Sequence, residues 1–227
     1  MTRVDVFTAL HKGLRAELFR VIEGVGQTDF ADPAGAARAA EALGSLFDLV
    51  EEHRRHEDEV ILATVAYDSP ELASDVRSEH ARLGGEQSEI RRLTLRLASA
   101  DTAVRLALGR RIHERLVLAA AELLRHTVRE EVEVNRLLWA HRGDAELRAL
   151  VRGFWRSLPA ERLARWLERV LPAANEEERA SLLRGLRRDQ RPELFEAAVA
   201  GARAALGIET WNRALALSAA PEKEEQA

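Results

Sequence analysis

The sequence predicts an all-α fold. An up-down-up-down four-helix bundle occupies residues 1–143, a helical C-terminal extension 144–220, and an acidic tail without regular structure 221–227. Three observations carry this expectation. Ala, Leu, Arg and Glu dominate while aromatic residues hold only 5% of positions, a palette that favours helix. Apolar residues recur at three- and four-residue spacing through four long stretches. Six Pro and no sustained Val/Ile/Thr alternation leave little that reads as strand.

The first predicted helix runs from about Val4 to Val25, with Phe7, Leu10, Leu14, Leu18 and Ile22 on one side and His11 among them. Gly24, Gly26 and Gln27 end it. Asp32 followed by Pro33 is a cap-then-proline start for the second helix, which continues to about Ala66. Its inward face reads Leu43, Leu46, Val50, His53, Glu57 and Val60. Ser69-Pro70 repeats the start signal for a third helix to about Ala98, with Val76, His80, Leu83, Gln87, Ile90 and Leu97 inward. Gly84-Gly85 interrupts this helix and permits either a kink or close approach of a neighbour. Asp101 caps the fourth helix, whose face carries Val104, Leu108, Ile112, Leu116, Leu123, His126, Glu130, Val134 and Leu137. Four long helices joined by short loops describe a bundle. Beyond Asp144 the pieces become short, hold Trp155, Trp166 and Trp211, and contain no His. They read as packing material.

Bulk properties exclude several classes. The net charge of −4 is small and interleaved, so nucleic acid is not an expected partner. With no Cys there is neither a disulfide nor a thiolate metal site. No apolar segment approaches the ~20 residues of a membrane span, and the N-terminus lacks a signal-peptide core. No membrane partner and a cytoplasmic location are therefore the default expectations.

The chemistry concentrates in two His-x-x-x-Glu pairs, His53 to Glu57 (HRRHEDEVIL) and His126 to Glu130 (HTVREEVEV). Residues four apart share a helix face, so each pair aims an imidazole and a carboxylate at one point. Alone the spacing is a weak signal. His11 and His80 strengthen it, because each falls on the inward stripe of one of the other two helices. A metal-free reading must bury four imidazoles and two carboxylates in one layer, and a buried carboxylate is costly unless paired or ligated. The proposed metal ligands are therefore His11, His53, Glu57, His80, His126 and Glu130. Imidazole with carboxylate and no thiolate suits iron, manganese or zinc.

The order His11, His53-x-x-x-Glu57, His80, His126-x-x-x-Glu130, with the wording ALHKGLRAEL, HRRHEDEVIL, SEHARL and HTVREEVEV, resembles the hemerythrin-like HHE cation-binding family over roughly residues 4–142. The resemblance implies a non-haem di-iron centre, two Fe ions bridged by both Glu and by an oxo, hydroxo or water ligand. It also implies binding of O2, H2O2 or NO. Oxygen-carrying hemerythrins place a second His four residues from the first in the third helix. Here Val76 and Gly84 stand at those distances from His80, leaving one iron with more open positions. That favours peroxide, NO or substrate chemistry over oxygen storage.

Four further residues are candidates for outer contacts to the site: His56, Asp58, Gln87 and Glu131. For His56 a partly exposed position beside the site is the plainer reading, and for Asp58 and Glu131 solvated charge. Gln87 is either a satisfied core residue or a donor to a bound ligand. His113 reads as surface or interface, and His141 as a cation capping a helix C-terminus. The leading functional expectation is detoxification, sensing or small-substrate oxidation at a di-iron site. The alternatives are a dedicated biosynthetic oxygenase and a non-enzymatic iron-responsive module, and a homodimer or protein partner would dock through the C-terminal extension.

Overall fold

The structure is a computed structural model, and it describes residues 3–189 and 192–219. Among these residues every regular element is helical. The predicted tail, 221–227, lies outside the described residues.

Cα proximity divides the chain into two units, Met1–Phe7 with Arg15–Asp144, and Thr8–Leu14 with Ala145–Ala227. The first unit is built from α1 (Thr8–Gln27, of which Thr8–Leu14 groups with the second unit), α2 (Pro33–His56), α3 (Leu62–Asp68), α4 (Pro70–Leu95), α5 (Thr102–Arg129) and α6 (Asn135–His141). Two wider turns, Glu57–Ile61 and Glu130–Val134, join α2 to α3 and α5 to α6 without a break in the helical path. Helix α4 packs on α2, α3 and α5, and α3 also meets α6.

The predicted start signals act as expected. Asp32 accepts from the backbone N–H of Ala34 at 3.0 Å and of Gly35 at 2.8 Å. Ser69 accepts from Leu72 at 3.4 Å and Asp101 from Val104 at 2.9 Å. Each satisfies amide groups that a helix N-terminus leaves without an intrahelical acceptor. Helix α4 runs unbroken through Gly84-Gly85. A Cβ on Gly84 would lie 2.8 Å from Nη1 of Arg54, so the close-approach reading holds there. That guanidinium donates to the carbonyl of His80 at 3.3 Å.

The core follows the predicted stripes with four displacements. Val21 and Val25 are buried where Ile22 was expected. At the start of α5, Val104 is 41% exposed and Arg105 turns inward instead. Its guanidinium donates to the carbonyls of Phe30, Ala31 and Ala100 at 2.8–2.9 Å, ending the loop before α2 and the one before α5. The other two share one cause. Val60 and Leu137 are only partly buried, while Ile61 with Leu62 and Leu138 are buried. The wider turns each insert an extra residue, rotating everything after Glu57 and Glu130 by about one position relative to an unbroken α-helix.

The second unit contains α7 (Asp144–Ser157), α8 (Ala160–Ala173), α9 (Glu176–Asp189), α10 (Pro192–Leu206) and α11 (Ile208–Ala219). Helix α10 packs along α8, and α11 along α9. Trp155, Trp166 and Trp211 are all buried. Phe154 meets the rings of Trp155 and Trp166 edge-on at 5.0 and 5.5 Å. The three Trp are core anchors of this unit.

No helix among the described residues is long and apolar enough to cross a membrane.

Candidate metal centre

Both carboxylates of the His-x-x-x-Glu pairs sit at the opening residue of a wider turn. In each the backbone N–H five residues on closes the loop, Leu62 to the carbonyl of Glu57 and Asn135 to that of Glu130. Such π turns inside helices are uncommon and collect at functional sites. Here they let His and Glu keep their one-turn spacing before the turn while the helix beyond repacks its apolar face.

All six predicted ligands are buried: His11 0%, His53 4%, Glu57 2%, His80 3%, His126 6% and Glu130 1% exposed. Their donor atoms fall into two groups, His11, His53, Glu57 and Glu130, and Glu57, His80, His126 and Glu130, with the atoms of each group within 4.8 Å of one another. Metal–ligand bonds of about 2.0–2.2 Å place opposite donors about 4 Å apart. Each group could therefore hold a metal ion. The four histidines divide two and two, and both carboxylates belong to both groups.

In the second group the rings of His80 and His126 meet edge-on with centroids 4.7 Å apart, and their Nε2 atoms are 3.0 Å apart. Nε2 of His126 is 3.2 Å from Glu130, and Nε2 of His80 is 3.5 Å from both Glu57 and Glu130. In the first group Nε2 of His53 is 2.9 Å from Oε1 of Glu57. The side chains therefore aim nitrogen and oxygen donors inward.

The outward nitrogens of His80 and His126 are held by acids. Nδ1 of His80 donates to Asp58 at 2.9 Å, and Nδ1 of His126 donates to Glu79 at 2.8 Å. An imidazole that gives its Nδ1 proton to a carboxylate presents Nε2 as the free donor and becomes more basic. Burial alone would lower both histidines. For His126 the bonds to Glu130 and Glu79 outweigh burial and push its pKa up to about 9. His80 is raised for the same reason by Glu130, Glu57 and Asp58. Glu130 is held below the usual carboxylate range, because His126 and His80 outweigh both burial and the neighbouring Glu57.

The four outer candidates separate. Asp58 contacts the site, through Nδ1 of His80, where solvated charge was the plainer reading. Glu131 instead meets Nη2 of Arg15 at 2.9 Å, and the same guanidinium donates to Thr127 at 2.8 Å. His56 is partly exposed beside the site, and burial together with His53 lowers its pKa. Gln87 is buried and lines a void of about 20 Å³ with Val50, Leu83 and Leu123 among its neighbours. Of the remaining histidines, His113 lies partly buried over Gly26. His141 faces Asp68 at 3.5 Å. The carbonyl of Trp139, near the same helix end, is taken by Arg3 at 2.7 Å, so the capping expected of His141 falls to Arg3.

Glu79 was not among the predicted site residues. It precedes His80, and a helix turns it about 100° away from that ligand. It serves a histidine on the next helix, a relation with no trace in local spacing. Arg129 completes the contact, donating to Glu79 at 2.6 Å. Together with His126 it holds the Glu79 carboxylate low, although burial acts in the opposite direction.

Against family models, curated proteins and solved structures, the chain gives no match in any of the three comparisons.

Proposed function

We propose that this chain is a hemerythrin-like four-helix-bundle protein with a non-haem di-iron centre, binding or reacting with dioxygen, peroxide or nitric oxide. One observation carries the reading: Glu57 and Glu130 each belong to both donor groups. A carboxylate shared between two groups is what two adjacent ions need as a bridge, and a pair of histidines remains for each ion. The donor set of imidazole and carboxylate accommodates iron, as it would manganese or zinc. Bound iron would supply redox and Lewis-acid chemistry to a small ligand. The residues of this chain orient the donors, through Asp58 and Glu79, and keep the layer buried.

Two spaces adjoin the His/Glu layer, a small void among apolar side chains and an open cleft of about 480 Å³ lined by His126, Glu79 and Arg129. Val50, Leu83 and Leu123 stand one turn from His53, His80 and His126, and they line the void of about 20 Å³. That is room for about one water-sized molecule. Its walls are apolar apart from Gln87, which suits O2 or NO. The dedicated-oxygenase alternative would draw instead on the cleft of about 480 Å³ beside His126.

Metal analysis of protein produced with iron tests the reading, together with absorption spectra before and after adding O2, peroxide and NO. The expected result is two irons per chain, one for each donor group, with a spectrum that responds to at least one of the three. A metal-free product, or one ion per chain, defeats the dinuclear reading. Zinc or manganese at full occupancy, with no spectral response, defeats the iron chemistry while leaving the site.

A further inference from the structure

Helix α5 carries apolar residues on its exposed side as well as in its buried stripe. Its inner side buries Leu108, Ile112, Leu116 and Leu123. Its outer side exposes Leu118 by 69%, Val128 by 51% and Val117 by 43%. A helix at the surface of a globular unit ordinarily turns a polar face to water. Single exposed Leu residues are common, whereas here Leu118, Ala121 and Val128 share one face with Arg111, Glu114 and Arg125.

The row has two properties that select its occupant. First, Arg111, Glu114, Leu118, Ala121, Arg125 and Val128 are all exposed and succeed one another at alternating three- and four-residue steps, the spacing of a coiled-coil seam. Second, the row is complementary to itself in reverse. About a two-fold axis through the turn between Leu118 and Ala121, Leu118 of one copy faces the small Ala121 of the other. Glu114 then faces Arg125, and the stem of Arg111 covers Val128. Each contact occurs twice, as an isologous interface requires. A parallel pairing would stack Glu114 on Glu114 and Arg125 on Arg125, so charge selects the antiparallel arrangement. Among the described residues, neither Glu114 nor Arg125 is engaged in an ion pair within the chain.

We propose that this face of α5 is the interface of an antiparallel homodimer, with Leu118 seated on Ala121 and Glu114 paired with Arg125 across the axis. The partner is thus a second copy of this chain, meeting it through the bundle segment and not through the C-terminal extension. The inference stands independently of the metal reading, since none of these side chains belongs to either donor group.

Sedimentation equilibrium of the full chain, metal-loaded and metal-free, tests it. The expected mass is twice the 25.4 kDa chain. E114R and R125E each turn two attractive contacts into two repulsive ones, and each should weaken dimerisation about tenfold or more. The double variant E114R/R125E restores the pairs with their signs exchanged and should return to within about threefold of the parent. L118E should dissociate the dimer with no rescue from either charge change. Unchanged helicity and melting confirm that the substitutions act at the surface. If an Arg at position 114 prevents folding, E114Q and R125Q are read instead, each weakening the dimer about threefold. A monomer at about 100 μM, single reversals that leave the mass unchanged, or a double reversal that does not rescue each overturn the proposal. Capture of a different protein by this face of a monomeric chain overturns it as well.

Discussion

Asp58 Oδ1 lies 2.9 Å from Nδ1 of His80, although the two are 22 residues apart and on different helices. Asp58 also follows Glu57 directly, so one turn of backbone supplies both a candidate metal ligand and the acceptor that orients another. Its side chain is about one-third exposed while His80 is buried, so the contact leads from the buried His/Glu layer towards solvent. A D58N variant keeps the shape and loses the charge. It should lower metal affinity about 10- to 100-fold, read by competition with a chelator of known strength, while the metal-free protein melts within about 1 kcal/mol of the parent. An unchanged affinity shows that the contact is incidental.

Glu79 gives a parallel case from the opposite helix. E79Q should weaken metal binding to a similar extent. E79Q should also disturb the spectrum of the iron-loaded protein more than E133Q does, because Glu133 reaches Arg129 but not the histidine. Equal effects of the two variants would place the contribution in the surface ion network alone.

Metal loading should release protons. His126 has a folded pKa of about 9 against an ordinary value of 6.5. In the metal-free protein its charged form therefore contributes stability that is complete below pH 6.5 and lost as pH rises through about 9. A metal binds only the neutral imidazole. Apparent metal affinity should accordingly climb across pH 6.5–9 while metal-free stability falls over the same interval. Titration calorimetry at pH 7.5 in buffers of different ionisation enthalpy measures the protons directly, and no release at that pH refutes the charged state of the metal-free site.

The two wider turns make a stability prediction that an unbroken helix would reverse. Leu62 is completely buried while Val60 is only partly so. L62A should cost about 2–5 kcal/mol, V60A about 1 kcal/mol or less, both read by denaturant unfolding. A larger loss at Val60 would mean that the helix continues in α register past Glu57.

Removal of bound metal should lower the melting temperature, because binding confined to the folded state adds its free energy to folding. At an ion concentration about a hundredfold above Kd the stabilisation is about 2.7 kcal/mol, or roughly 5–10 °C for a unit of this size. H126A should lose most bound metal and with it this response to chelator. H113A should keep both, since His113 belongs to neither donor group.

What the sequence determined by itself is local. Asp32, Ser69 and Asp101 start helices because a side-chain oxygen two or three residues before a free amide needs no distant partner. The inward stripes and the burial of the six candidate ligands follow from the 3.6-residue period, which fixes the face of a residue as soon as the segment is helical. Tertiary structure decided the rest, and each case involves a partner far along the chain. The turns after Glu57 and Glu130 widen where packing on both sides of the buried His/Glu layer demands different registers, and neither EDEVI nor EEVEV announces it. Arg105 displaced Val104 from the interior because three carbonyls from two loops converge on its guanidinium. Glu79 entered the site through a histidine 47 residues away, since a hydrogen bond between helices depends on their separation and rotation, quantities that no spacing along a single chain contains.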